Sequence, residues 1–440
     1  MRTLKRIPRS LVIGGVLLAA GAALATLLRA GPPPEQEPPP AAAPAIQAPV
    51  EAPPTPPPAV EAPAPAPTVA AGPVDIERVR LMLDPGQAVA ENGKMVQHLP
   101  DGSTAVLSLR PDVQQAMLDL FEKYDVPVGA AVAIEAATGR VVVLASRSRA
   151  PTERPPALDA SFPAASVFKL VTSAALIEDA KVEPTERVCY RTASAIKKLT
   201  AKDIEEAFEE GADGIDCATF GDGLARSLNP VLARLADAHL SPRVELRFAE
   251  KFAFGRAIPF DLPLDVSPVE IPQERLEFAR TAAGFWHVGL SPMHGAVLAE
   301  TVANGGRMLQ PQLIDAVLAG DGSEVYRSEP RSLRRVISES TAELLTRMMI
   351  QTVDSGTGKR DFTDPQGRPF VPVPVAGKTG SLSNPTPFMA YSWFVGFAPA
   401  GPPTPGTTIY AVAALVVNEE RWRIKAPLVA REMLRLLLGN

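Results

Sequence analysis

The sequence has few of the residues that bind metals or build small disulfide-rich folds. It has only two cysteines, Cys189 and Cys217, and no Cys/His cluster with the spacing of a metal site. The four histidines form no HExxH-type array, which argues against a zinc hydrolase. Basic residues are not in excess: 44 Lys and Arg stand against 49 Asp and Glu, a net charge of −5. We therefore predict no cofactor, no metal and no nucleic-acid partner.

The composition is otherwise that of a globular enzyme, apart from its proline. The chain has 440 residues, 46% of them hydrophobic and 21% charged, enough for one large domain or two ordinary ones. Of its 47 prolines, 17 lie in residues 31–73, with Ala, four Glu and no Lys, Arg or aromatic residue. Such a segment has little to bury, so we predict a disordered Pro/Ala-rich linker at 31–73.

Residues 1–30 have the pattern of a cytoplasmic tip followed by a transmembrane signal anchor. Four positive residues precede an uncharged run from Ser10 to Leu28, whose apolar core is at the lower end of what spans a bilayer. Positive charge before the run predicts that the N-terminus stays inside and the rest of the chain is exported. The competing interpretation is a signal peptide cleaved at Ala23-Leu24-Ala25.

Strand patterns lie at both ends of the globular part, with helical patterns between them. We predict one sheet assembled from the two ends, which is an α+β arrangement. Pro111-Asp112 begins a short amphipathic helix, and helical patterns cover 166–179, 224–305 and 426–438. The predicted strands are Ala130–Ile134, Val141–Ala145, Val371–Thr379, Tyr391–Phe397 and Ile409–Val417.

The first chemical motif is Ser166-Val167-Phe168-Lys169. On a helix, a spacing of three places the Ser166 hydroxyl and the Lys169 ammonium on one face. The surrounding residues are apolar, so the helix should be buried and the pKa of Lys169 should fall. A neutral lysine can act as the base for a serine nucleophile without a histidine. By itself SxxK is a weak signal that occurs by chance in many chains.

The second motif is Ser227-Leu228-Asn229, inside an apolar helical stretch. Ser and Asn prefer helix caps, so one interpretation is a helix start at Ser227. The functional interpretation is that the Ser227 hydroxyl relays a proton while the Asn229 amide orients it and holds the substrate.

The third motif is Lys378-Thr379-Gly380-Ser381, at the end of a strand pattern. A phosphate loop would need a glycine where Pro372 stands, so a nucleotide site is excluded. At a strand edge, we expect Lys378 to remain charged and Gly380 to admit a substrate backbone. The backbone N–H groups of Ser381 and Ser166 can then serve as oxyanion donors.

Together, in this order, the three motifs resemble the signature of the penicillin-binding protein transpeptidases, the serine penicillin-recognising D,D-peptidases. The resemblance runs from about Thr104 to Asn440. It implies an α+β fold with a mostly antiparallel five-stranded sheet flanked by helices and an all-helical subdomain. Further similar segments are Leu107–Gln115, Phe162–Ser166, Leu290–Pro292, Ala303–Gly306, Gly356-Thr357-Gly358 and Trp393–Phe397.

The resemblance implies a function for each motif residue. Ser166 attacks the penultimate D-Ala carbonyl of a peptidoglycan stem peptide, and Lys169 takes its proton. Ser227 and Asn229 pass a proton to the departing D-Ala, and Lys378 supports that relay electrostatically. The substrate-binding residues are Thr379, Gly380 and Ser381, with the Thr379 and Ser381 hydroxyls on the substrate carboxylate.

The family assignment also predicts location and partners. It places the catalytic domain, residues 104–440, in the periplasm, held by a single-pass anchor in the inner (cytoplasmic) membrane. Residues 74–103 form a short pre-domain segment, too short for a glycosyltransferase domain, so we do not expect a bifunctional synthase. A glycan-polymerising cell-wall protein is among the expected partners. The expected ligands are D-Ala-D-Ala stem peptides and inhibitory β-lactams. In that compartment Cys189 and Cys217 either form a disulfide, which we predict, or remain two buried thiols.

The expected activity is cross-linking of stem peptides through a Ser166 acyl-enzyme. A D,D-carboxypeptidase would use the same residues with water as the acceptor. A serine β-lactamase shares the fold, but nothing resembles the omega-loop Glu element of class A enzymes, and Ser227-Leu228-Asn229 differs from the S-x-V of class D. A non-enzymatic β-lactam sensor is disfavoured because every catalytic position is filled.

Overall fold

The computed structural model describes residues 75–195, 198–401 and 406–439. The predicted anchor, 1–30, and the predicted linker, 31–73, lie outside these residues. Within the described ranges, no helix combines the length and apolar character needed to cross a membrane.

Twelve α-helices form in the described ranges, and several begin with a capping side chain or a proline in the first turn. Ser291, for example, accepts a hydrogen bond from the His294 N–H at the start of the ninth helix. In chain order the helices are α1 Ile76–Met82, α2 Pro111–Lys123, α3 Lys169–Glu178, α4 Ala201–Glu205, α5 Phe220–Ala225, α6 Asn229–His239, α7 Pro242–Lys251, α8 Arg275–Ala282, α9 Pro292–Ala303, α10 Glu339–Asp354, α11 Lys359–Phe362 and α12 Ala426–Leu437.

The strands of the same ranges form two five-stranded sheets and two two-stranded antiparallel sheets. They are β1 Val89–Glu91, β2 Lys94–His98, β3 Thr104–Leu107, β4 Val128–Glu135, β5 Val141–Ser148, β6 Arg187–Arg191, β7 Ile215–Thr219, β8 Arg307–Leu309, β9 Ile314–Leu318, β10 Glu324–Arg327, β11 Ser332–Arg335, β12 Ala376–Pro385, β13 Phe388–Ala398 and β14 Tyr410–Glu419.

The central sheet joins strands from the two ends of the globular part, as the sequence predicts. Its order is β12-β13-β14-β4-β5, and every neighbouring pair is antiparallel. Residues 411–417 of β14 are all fully buried because helices cover both faces. The apolar helix α9 packs on one face, and α2 and α12 pack on the other. The predicted α+β fold with a five-stranded antiparallel sheet is therefore confirmed.

The start of β12 differs from the prediction. The sequence predicts a strand over 371–379, whereas β12 begins at Ala376 and continues to Pro385. Pro372 and Pro374 lack the N–H that a strand ladder requires, so the apolar residues between them lie in an irregular approach to the strand.

The second sheet includes the predicted pre-domain segment. Its order is β1-β2-β3-β9-β10, so β1 and β2 pair onward to strands of the main domain. The Arg80 guanidinium in α1 also donates to the buried Asp261 carboxylate at 2.9 Å, and Asp261 accepts from the backbone N–H groups of Leu313 and Ile314. Residues 75–103 are thus packed into the same body as the sheet that they extend.

The polar insert of the helical region is closed by β6 and β7. Cys189 and Cys217 stand directly opposite each other in this antiparallel pair, with Cα atoms 4.0 Å apart. The structure joins them in a disulfide.

Candidate active site

Ser166 lies in a tight turn just before α3. The turn is a 3-10 helix, Ala165–Val167, and Ala165 has a φ of +49°, a backbone conformation that costs roughly 1–2 kcal/mol for a residue with a side chain. Gly284 lies directly behind the turn, where an added Cβ would lie 2.6 Å from the Ala165 carbonyl oxygen. Trp393 Nε1 donates to the Pro163 carbonyl at 2.9 Å and ties the approach to the central sheet. These contacts hold the half-buried Ser166 side chain at the head of α3.

Lys169 is fully buried one turn further on, with 0% of its surface exposed. Its Nζ lies 3.0 Å from Ser166 Oγ, 3.2 Å from both Ser227 Oγ and the Ser227 carbonyl oxygen, and 2.6 Å from Asn229 Oδ1. The Ser227 carbonyl and Asn229 Oδ1 can only accept, so a neutral amine gives them its two hydrogens and keeps a lone pair for a hydroxyl.

Burial, and secondly the charge of Lys378, holds the pKa of Lys169 well below its usual value. The sequence-based expectation of a lowered Lys169 pKa agrees with this direction.

Ser227 and Asn229 are at the junction of α5 and α6. Ser227 has a φ of +56° and forms a turn rather than lying inside a helix, and α6 begins at Asn229. The turn directs both the carbonyl and the hydroxyl of Ser227 toward Lys169. Strained conformations at Ala165 and Ser227, on both sides of Lys169, are of the kind that concentrates at functional sites.

At a strand edge Lys378 is expected to remain charged, but the structure buries it. It is on the edge strand β12, but helix α10 packs over that strand and leaves 0% of Lys378 exposed. Its Nζ donates to Ser227 Oγ at 3.0 Å and to the Thr379 carbonyl at 2.9 Å. Burial lowers its pKa to about 7. Lys378 therefore contacts the proposed relay through Ser227 and does not line the cleft that a substrate would enter.

Two lysine nitrogens thus flank one hydroxyl. Ser227 Oγ lies 3.2 Å from Lys169 Nζ and 3.0 Å from Lys378 Nζ. Two buried ammonium groups so close to a shared hydroxyl would repel each other, which disfavours double protonation. The arrangement provides a connected path for a proton between Ser166, Lys169 and Ser227.

A cleft of about 390 Å³ opens over these residues. It is lined by Ser166, Ser227, Asn229 and the β12 residues Thr379, Gly380 and Ser381. At Gly380 an added Cβ would lie within 3.4 Å of Trp393, Val167 and Ala165, so glycine lets β12 approach the nucleophile turn. This close approach is made by the protein itself, in addition to the approach of a substrate backbone that the sequence suggests.

The cleft also includes residues that the sequence reasoning did not place in the site. They are Thr357, Asp361, Ser392, Trp393, Lys425 and Pro427. Thr357 Oγ1 is 2.5 Å from Thr379 Oγ1, so the Gly356-Thr357-Gly358 turn contacts the third motif directly. That turn and Trp393 belong to segments with the family resemblance, which was a usable signal. Asp361 and Lys425 had no such signal.

A nucleophilic hydroxyl, a buried amine base and a hydroxyl relay beside an edge strand define a serine acyl-transfer site. Residues 129–433 match the family model described as the penicillin binding protein transpeptidase domain. The chain belongs to this family.

Known proteins of the family resemble the chain over most of its length. A peptidoglycan D,D-transpeptidase, PbpA of Mycolicibacterium smegmatis, is 24% identical over 362 residues, covering 72% of this chain and 68% of that protein. The crystal structure of PBPA from Mycobacterium tuberculosis has a TM-score of 0.61 at 23% identity, with 76% of this chain and 81% of that chain covered. The D,D-transpeptidase domain of a peptidoglycan glycosyltransferase from Eggerthella lenta has a TM-score of 0.65 at 21% identity, with 84% and 91% covered. At these identities the structural likeness shows the fold.

Proposed function

We propose that this protein is a peptidoglycan D,D-transpeptidase that cross-links stem peptides through a Ser166 acyl-enzyme and is inhibited covalently by β-lactams. The observation that carries the proposal is the position of Lys169 Nζ, within 3.2 Å of both the Ser166 and the Ser227 hydroxyls. This one amine can take a proton from the nucleophile and return it through Ser227.

In the acylation step, Ser166 Oγ attacks the penultimate D-Ala carbonyl while its proton moves to neutral Lys169. The tetrahedral oxyanion then collapses, and the bond to the terminal D-Ala nitrogen breaks. That nitrogen takes a proton from Ser227, which is resupplied by Lys169. Thr379 and Ser381 hold the substrate carboxylate, and the N–H groups of Ser166 and Ser381 remain our predicted oxyanion donors.

In the second step, an amine of another stem peptide attacks the ester carbonyl. The ester bond to Ser166 breaks, a new amide forms, and the amine proton returns to Ser166 Oγ through the same relay. A β-lactam acylates Ser166 by opening its ring amide. Its nitrogen stays attached to the acyl group, so no leaving group departs to free the acceptor side.

The test of the nucleophile is mass spectrometry of the full-length protein after incubation with benzylpenicillin. We expect one adduct, on the peptide that contains Ser166, and none in Ser166→Ala. The matched control is Ser161→Ala, which removes an exposed hydroxyl five residues earlier and should label normally. An adduct that persists in Ser166→Ala would refute the nucleophile assignment.

The second candidate is a D,D-carboxypeptidase, in which water resolves the same acyl-enzyme. A peptide ending in D-Ala-D-Ala, incubated with and without D-methionine, separates the two by product mass. A transpeptidase transfers the acyl group to D-methionine, whereas a carboxypeptidase gives only the shortened acid at every D-methionine concentration.

We further propose that residues 1–30 anchor the chain in the inner membrane, with residues 104–440 in the periplasm beside a glycan-polymerising partner. The charge pattern of the N-terminus supports this location. The Cys189–Cys217 disulfide also supports it, since disulfides persist in that compartment. A reporter fused after Asn440 should be active only as an exported fusion. A soluble form that starts near Thr26 would instead show a cleaved signal peptide.

A further inference from the structure

The cleft beside Ser166 contains a carboxylate that the acylation mechanism does not use. Asp361 is in the short helix α11 and is half-buried. Among the described residues, no group donates a hydrogen bond to its carboxylate oxygens, and no basic side chain lies within 4 Å of them. A partly buried carboxylate without a partner in an enzyme cleft is a candidate contact for a cationic ligand.

The neighbouring cations do not neutralise Asp361 by contact. The Arg431 guanidinium bonds to the Asp361 backbone carbonyl at 2.8 Å and to Glu432, and it stacks on the Phe370 ring. Arg360 is exposed. Burial raises the pKa of Asp361, and the charges of Lys425, Arg431 and Arg360 oppose that rise.

Lys425 gives this end of the cleft a second, opposite charge. It is exposed, lines the same cleft, and lies over the Trp422 ring with Nζ 5.2 Å from the ring centroid. The end of the cleft therefore presents one anionic and one cationic side chain. A ligand with a single charge would be attracted by one of these side chains and repelled by the other, whereas a zwitterion can pair with both.

The position of Asp361 relates it to the leaving-group end of the cleft. Asp361 follows Thr357 by four residues, and the Thr357 hydroxyl contacts that of Thr379. In the proposed function, Thr379 holds the carboxylate of the departing D-Ala. The incoming amine must form its bond where the D-Ala nitrogen left, so the acceptor enters the cleft from this end.

We propose that Asp361 and Lys425 form the subsite for the acyl acceptor. Asp361 binds the acceptor's ammonium group as it enters. Lys425 adds a cation to the Thr379 and Ser381 hydroxyls for a carboxylate on the same carbon, which takes the place of the carboxylate of the departed D-Ala. The chemical class that fits is the amino-acid centre of a side chain or a free D-amino acid. This inference rests on the proposed transpeptidase function and adds the residues that select its second substrate. The bound ammonium loses a proton to solvent before the amine attacks.

The experiment measures transfer from an N-acylated peptide ending in D-Ala-D-Ala to D-methionine, using the full-length protein. In Asp361→Asn, the half-saturating D-methionine concentration should rise roughly tenfold, because one partner of a partly solvated ion pair is lost. Asp361→Glu restores the charge and should recover most of the affinity. The matched control is Asp354→Asn, which removes an exposed charge at the end of α10 from a residue that does not line the cleft.

A second arm tests Lys425. D-Methioninamide lacks the carboxylate and should be a poorer acceptor than D-methionine for the unsubstituted protein. This difference should disappear in Lys425→Met. If Asp361→Asn keeps the same half-saturating D-methionine concentration as Asp354→Asn, the Asp361 assignment is overturned. If the preference for D-methionine persists in Lys425→Met, the Lys425 assignment is overturned.

Failure of the proposed function gives a different result. If the unsubstituted protein releases D-Ala but forms no D-methionine product at any concentration, the transpeptidase proposal fails, and the acceptor subsite fails with it. If it forms the product and only the variants behave unexpectedly, the transpeptidase proposal stands and the subsite alone is rejected.

Discussion

Two buried ionisable groups lie at successive turns of α3, Lys169 in the helix itself and Glu245 against Thr172, and their environments differ in one respect. On the cleft side, Lys169 Nζ lies within 3.2 Å of two hydroxyls and two acceptors. One turn later, Thr172 Oγ1 lies 2.5 Å from Glu245 Oε1 and 3.0 Å from the Ala282 carbonyl oxygen. Both Lys169 and Glu245 have 0% of their surface exposed.

The number of available hydrogens at Thr172 determines which protonation state of Glu245 satisfies all the neighbouring groups. Thr172 has one hydroxyl hydrogen but two neighbouring oxygens that could accept it. If Glu245 carries a proton, it donates to Thr172 and Thr172 donates to Ala282, so all three groups are satisfied. Burial raises the pKa of Glu245 to about 7, in the direction that favours this state. Glu245 Oε2 has no partner among the described residues.

Desolvation therefore acts on both Lys169 and Glu245, but only Lys169 is placed where its shifted pKa can serve catalysis. The Lys169 amine contacts Ser166, which lines the cleft, and Ser227, which can pass a proton onward. The Glu245 proton has one partner, Thr172, and neither residue lines the cleft. We infer that the same physical effect produces a reactive base at Lys169 and a pH-dependent contribution to stability at Glu245.

The largest expected effect is on the acylation rate, and it should distinguish Lys169 from Glu245. Lys169→Arg keeps a positive charge but cannot be deprotonated near neutral pH, so it should lower the benzylpenicillin acylation rate by roughly 10³-fold or more. Glu245→Gln, the matched neutral change at the contact with Thr172, should acylate at a rate close to that of the unsubstituted protein at pH 6. Stopped-flow or quenched acylation kinetics provide the measurement. Equal losses of acylation rate in both variants would contradict the assignment of catalysis to Lys169 and of stability to Glu245.

The second prediction concerns stability and pH. The folded-state pKa of Glu245 is about 7, against 4.5 for the unperturbed group. Its contribution is fully present below pH 4.5 and is lost as pH rises through 7, a change of roughly 3 kcal/mol in the free energy of unfolding. Glu245→Gln removes this dependence, so urea unfolding of variant and parent should differ in pH slope between pH 5 and 8.5. Parallel slopes would show that Glu245 does not titrate as proposed.

The sequence predicts the surroundings of Lys169 better than those of Glu245. SxxK spacing on a helix already implies that Ser166 and Lys169 share a face, and the apolar neighbours imply a lowered Lys169 pKa. Strand patterns at both ends are also local signals, and they correctly predicted the central sheet. Glu245 has no comparable signal, because its burial depends on α7 packing against α3.

The burial of Lys378 could not be predicted from the sequence for the same physical reason. A strand pattern locates Lys378 on an edge strand, but only the packing of the distant helix α10 shows that the side chain is covered. Asp361 lies in α11 and Lys425 immediately precedes α12, and the two reach the cleft through the fold without any fixed sequence spacing from the motifs. Residues that act through long-range packing are thus the ones that the sequence could not supply.

The third prediction concerns the electrostatic coupling between Lys169 and Lys378. The Lys378 ammonium lowers the pKa of Lys169, so Lys378→Met should raise it. Acylation requires neutral Lys169, hence the acid limb of the rate against pH should move to higher pH. At pH 6 the rate should fall by roughly tenfold. Lys181→Arg, an exposed change beyond the end of α3, is the control for nonspecific effects. An acid limb that moves to lower pH would contradict the coupling.

The smallest effect is expected at a second hydroxyl of α3. Ser173 Oγ is buried and has no hydrogen-bond partner among the described residues, whereas the adjacent Thr172 hydroxyl is bonded to Glu245. Removing an unsatisfied buried hydroxyl costs little, so Ser173→Ala should change the free energy of unfolding by less than about 1 kcal/mol, with a gain as readily as a loss. Thr172→Val is the matched comparison. It keeps the shape but leaves Glu245 without its partner, and it should cost roughly 1–3 kcal/mol. Urea unfolding at pH 6 compares the two variants. A larger loss from Ser173→Ala than from Thr172→Val would mean that the hydroxyl bonded to Glu245 has been assigned to the wrong residue.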